Sequence, residues 1–157
     1  MGLVRFRGAM RSRLSVLALL AGLLTTACDE KLSSLAGPTP NLEPSFSSIQ
    51  AQIFESTDSS GRRACVSCHT NVGRTPPAGL NLTHDAAYDQ LINVASSRKA
   101  GAIRVIPGDA DNSYLIHKVE GASDITGVRM PYSGPPYLTD GQILILKRWI
   151  AVGAPRN

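Results

Sequence analysis

Cys65-Val66-Ser67-Cys68-His69 decides how this chain is read. On a helical turn, two cysteines three residues apart and a histidine four after the first share one face. The pattern C-x-x-C-H is the attachment signature of a c-type haem. In that arrangement the two sulfurs bond to the vinyl groups on one porphyrin edge, and the His69 imidazole ligates the iron from one side. Two other readings compete. A structural zinc site takes four ligands, commonly from a second Cys/His pair, and the sequence has no second pair. A redox dithiol of the thioredoxin kind expects a βαβ setting, which the neighbouring residues do not suggest.

Working outward, the N-terminal residues read as an export signal. Arg5, Arg7, Arg11 and Arg13 precede an apolar run over residues 14–24, shorter than the ~20 residues that span a bilayer. The stretch Leu24-Thr25-Thr26-Ala27-Cys28 resembles a bacterial lipobox, in which the cysteine is acylated and becomes the mature N-terminus. Here the leucine lies four residues before the cysteine instead of three. The expected organisation is a lipoprotein-type signal peptide over 1–27, a flexible tether over 28–44 and one folded domain over 45–157. Cleavage without lipidation and an uncleaved anchor are the alternatives. The tether reading rests on Gly37-Pro38-Thr39-Pro40 and on the lack of periodicity around it. The expected location is periplasmic or otherwise extracytoplasmic, held at the membrane through Cys28. Cysteine accounting agrees: lipid on Cys28 and haem on Cys65 and Cys68 leave none of the three unassigned.

The formal charge of +4 misleads. Four of the sixteen Lys and Arg sit in the signal, and all twelve Asp and Glu follow it, so the mature chain carries twelve of each sign. The hint of a nucleic-acid partner that a basic chain gives disappears with the signal. Aromatic residues make up only 5%. A buried porphyrin would supply the flat apolar surface that such side chains lack.

The periodicity predicts an all-α domain. A first helix runs from about Ser45 to Ser56, with Ile49, Ile53 and Phe54 apolar. A polar loop over 57–63 leads into the haem motif, and Gly73, Pro76 and Pro77 mark a turn-rich loop after it. Thr83 caps a second helix near 84–94. Asp109 or Asp111 caps a third near 112–119. The last helix has the firmest signals: Thr139 and Gln142 form a capping box, Asp140 suits the positive helix start, and Gly153 and Pro155 end it. It is expected to pack on the first.

A six-coordinate iron needs a second ligand. Met130 is the one methionine outside the signal, in a stiff loop with Pro131, Gly134, Pro135 and Pro136. His84 and His117 are its rivals. A His/Met pair raises the haem potential relative to a bis-histidine pair and leaves no open iron position.

Taken together, the haem motif, Pro107-Gly108-Asp109 through Ser113-Tyr114-Leu115, Met130-Pro131 with Gly134-Pro135-Pro136-Tyr137-Leu138-Thr139, and Trp149 to Ala154 resemble a monohaem bacterial c-type cytochrome domain. The likeness covers residues 45–155. Tyr132 stands where a further proline is common, and Tyr137 precedes the usual leucine. The resemblance implies a small cytochrome c-like helical fold around one covalent haem c. It also implies Cys65 and Cys68 as attachment points and His69 and Met130 as iron ligands. The implied function is electron transfer between redox protein partners, without enzymatic turnover. Leu80, Leu82, Leu115, Leu138 and Trp149 are expected to wall the ring. The alternatives are a five-coordinate haem sensor or peroxidase-like domain, with His84 or Arg129 over the open face, and a haem subunit of a larger oxidoreductase complex.

Overall fold

Ser45 Oγ accepts a hydrogen bond from Ser48 N at 3.3 Å and so caps the first helix. A computed structural model of the chain describes Gly2, residues 37–39 and residues 41–157. The chain divides into two units, Met1–Lys31 and Leu32–Asn157, and all that follows belongs to the second. The expected signal peptide, Cys28 and most of the expected tether lie outside the described residues. No helix among the described residues is long and apolar enough to cross a membrane.

Helix α1, Phe46–Ile49, does not run on as an α-helix to Ser56. Gln50–Phe54 widens into a π-helical turn. Its carbonyls then need donors from elsewhere, and Arg62 supplies them. The guanidinium donates to Ile53 O at 3.2 Å, Gln52 O at 3.3 Å and Ser56 O at 3.4 Å. Asp58 pairs with it at 2.9 Å, and both side chains are wholly buried. The loop that reads as merely polar therefore holds a buried ion pair beneath the haem motif.

The boundary expected at residue 45 moves upstream. Leu42 and Thr39 are buried, Thr39 Oγ1 accepts from Gln142 Nε2 at 3.0 Å, and Asn41 O accepts from Gln52 Nε2 at 2.8 Å. The end of the expected tether is thus part of the packed unit, because Leu42 has a core to enter and Thr39 a partner to bond.

Helix α2 is Ala87–Leu91, shorter than its apolar stripe suggests. Ile92 and Val94 leave it as extended backbone, pairing with Val105 and Arg104: Asn93 N donates to Val105 O at 2.9 Å and Arg104 N to Val94 O at 2.8 Å. β-Branched residues favour that geometry. Helix α3, Tyr114–Glu120, has Ser113 and neither aspartate at its N-cap position, with no side-chain capping bond. Asp109 instead turns back on Asn112 N and Nδ2, and Ser113 Oγ donates to Asp109 O. Gly121 ends α3 with φ 75°. Helix α4, Asp140–Ala151, begins with the expected capping box, both bonds of which are present between Thr139 and Gln142.

The last helix lies on the first. The Trp149 ring meets Phe46 at 5.6 Å, and the chain end locks the contact, since Asn157 accepts from Phe46 N and Ser47 N. Ile49, Ile53, Leu91, Ile116, Leu146 and Ile150 fill the core between the four helices. Helix accounts for 32% of the described residues and strand for 5%, the latter as isolated bridges only, so loops make up most of the described residues.

Candidate functional site

Cys65–Ser67 forms a single tight helical turn, closed by bonds from Cys68 N and His69 N to Cys65 O. That turn sets Cys65, Cys68 and His69 along the wall of one cavity of about 550 Å³, a volume in the range of cofactor pockets. Both thiols are free, Cys65 half-buried and Cys68 exposed. Burial pushes the Cys65 thiol up to about 11, against the pull of the Arg62 charge. A dithiol built for redox exchange has its attacking thiol lowered instead. Among the described residues, no group of three or more His, Cys, Asp or Glu could hold a metal ion, so the donor set of a structural zinc site is missing.

The backbone fixes the orientation of His69. His69 O accepts from Leu82 N at 2.9 Å, and His69 Nδ1 lies 3.1 Å from Leu80 O. A carbonyl only accepts, so Nδ1 carries the proton and Nε2 keeps its lone pair. Burial keeps the imidazole below its ordinary value; the Leu80 carbonyl works against this, and the charges of Arg104 and Lys118 add to it. A neutral imidazole with one nitrogen anchored to a backbone acceptor is the form that ligates iron.

Met130 lines the same cavity. Its loop is tied to α3 by a bond from Met130 N to Lys118 O at 2.8 Å. The rivals lie elsewhere. His84 does not line the cavity; its side chain is 79% exposed beside Asp85. His117 turns to Asp124 and to Asp111 O. Arg129, the other candidate distal group, donates to Val119 O at 2.8 Å and stacks on Tyr137. Of the expected wall residues, Leu80, Leu82, Leu115 and Leu138 line the cavity. Trp149 does not: it is fully buried in the core, its Nε1 donating to Pro155 O at 2.9 Å. Helical spacing marks an apolar residue as inward-facing, and here inward means the helix pair and not the cavity.

Sequence reasoning missed the electrostatics. Arg63, Arg98, Arg104 and Lys118 line the cavity, and no Asp or Glu does. Arg104 is braced by Gln90 O at 2.8 Å and Ala78 O at 3.0 Å. These cations come from three separate stretches of chain, so no local pattern announces them. A cavity with apolar walls and uncompensated positive charge suits a flat apolar ligand bearing carboxylates. The residues present therefore fit a haem with its two propionates. No protein-family model, no curated protein and no solved structure matches this chain.

Proposed function

We propose that this chain is a monohaem c-type cytochrome of the all-α kind that carries single electrons between redox proteins outside the cytoplasm, tethered to a membrane through acylated Cys28. One observation carries the reading: the C-x-x-C-H turn and the one methionine outside the expected signal line a single apolar, cationic cavity. The haem, when bound, supplies an iron that cycles between two oxidation states.

The residues do the rest. Cys65 and Cys68 would hold the haem covalently through their sulfurs. His69 would hold the iron through Nε2, with Leu80 O keeping the proton on Nδ1. Met130 would be the second protein ligand through its thioether. Leu80, Leu82, Leu115 and Leu138 exclude water, and Arg63, Arg98, Arg104 and Lys118 balance the propionates. Exposed Cys68 leaves one edge of the site near solvent, where a partner can approach and leave. Such encounters use small, short-lived interfaces.

The test is a visible spectrum of protein matured with haem-attachment machinery. The ferric form is expected to be low-spin, with a weak far-red band from thioether ligation that is absent in Met130→Ala. A high-spin wild-type spectrum that shifts with added ligand excludes His/Met ligation. Mass spectrometry of exported protein checks the anchor: the reading requires acylated Cys28 at the mature N-terminus, and an unmodified cysteine there refutes it.

A further inference from the structure

The loop that bears Met130 crosses the end of α3, and Lys118 holds it from both ends of its own structure. Lys118 Nζ donates to Val128 O at 2.5 Å and to Thr126 O at 3.2 Å. Lys118 O accepts from Met130 N at 2.8 Å. Three bonds from one residue thus fasten residues 126, 128 and 130, and the same residue lines the cavity beside Met130. The same stretch has one more tie to α3, Thr126 N donating to Tyr114 Oη at 2.9 Å. Gly127 has φ 80°, and Val128 is 51% exposed. Arg129 supplies a second fastening through Val119 O, and Gly121 makes room for it, since a Cβ there would come within 2.8 Å of Arg129 Cδ.

We propose that Lys118 is a positioning residue: by clamping the carbonyls of Thr126 and Val128, it keeps the Met130 thioether on the distal face of the bound haem and sets how readily an outside ligand displaces it. This rests on the His69/Met130 reading above. The ammonium bonds are charge-assisted, so losing both raises the fraction of molecules with the loop lifted roughly tenfold. An outside ligand binds only the lifted form, and its apparent affinity rises by the same factor.

Imidazole titration of the ferric holoprotein, followed by loss of the far-red thioether band, tests this in wild type, Lys118→Leu and Lys118→Arg. The leucine variant, which keeps an apolar stem but no donor, is expected to bind imidazole about tenfold more tightly. The arginine variant, which restores a charged donor, is expected within about twofold of wild type. Where the leucine variant does not accumulate, Lys118→Ala, which also lacks a donor, reads the same quantity. Unchanged imidazole affinity in the donor-less variant overturns the inference, including the case where only its thermal midpoint falls, since that marks a merely structural lysine. A wild-type protein with no far-red band overturns the His/Met reading itself, so the two failures are told apart.

Discussion

Asp58 and Arg62 form a buried pair just before the Cys65–His69 turn, and neither lines the cavity. Burial alone would raise the Asp58 carboxyl, but hydrogen bonds from Ser60 and Gln142, with the charge and hydrogen bond of Arg62, hold it below its ordinary 3.8. A carboxyl depressed in the folded state contributes stability that is present above its unfolded value and is lost as pH falls through the folded one. The denaturant midpoint should therefore drop as pH falls below about 3.8, and Asp58→Asn should flatten that part of the curve. At neutral pH the same substitution strands the Arg62 charge, and urea unfolding should record a loss of about 3 kcal/mol. His117 has the opposite sign. Its Nε2 faces Asp111 O at 2.6 Å and its Nδ1 faces Asp124 at 2.9 Å; both partners accept, so both favour the doubly protonated ring. The Asp111 carbonyl, then Asp124, raise its value above 6.5 despite some burial. That contribution is full below pH 6.5 and is lost as pH rises through the raised value. An NMR titration should find the His117 midpoint above 6.5, and lower in Asp124→Asn than in wild type.

At the scale of elements, what was legible was what is local. The capping box needs only Thr139 and Gln142 three residues apart, and both its bonds form as expected. Thr139→Ala should cost about 1 kcal/mol in urea unfolding, because it removes the bond to Gln142 N. The C-x-x-C-H turn is equally local: five residues fix it, and Cys65, Cys68 and His69 line one cavity. What was not legible depends on distant partners. The widening of α1 into a π-helical turn needs the buried guanidinium of Arg62 to take its carbonyls. The early end of α2 needs the 103–105 segment to pair with its departing residues. Neither aspartate caps α3, because Asp109 has Asn112 to bond and the helix starts after Ser113, whose side chain makes no capping bond. In each case the residue types were visible and the competing partner was not.

At the scale of the packed unit, residues outside the helices hold the arrangement together. Asn157 bonds to the start of α1, and Thr39 bonds to the start of α4, and residues of both α1's π-helical continuation and α4 line the cavity. The cavity opens where loops, not helices, supply the lining: the 96–104 segment brings Arg98 and Arg104, and the 126–133 segment brings Met130. Sequence pattern singled out Met130 because no other methionine lies outside the expected signal, and it missed Arg63, Arg98 and Arg104 because loops carry no period. The central claim is that a porphyrin is covalently joined at Cys65 and Cys68 and ligated by His69. The most direct measurement is extraction of the exported, matured protein with acidified organic solvent, followed by the visible spectrum of both phases. The account predicts that the colour stays with the polypeptide, and that Cys65→Ser/Cys68→Ser protein retains none after the same treatment. Colourless wild-type protein, or colour that leaves with the solvent, contradicts it.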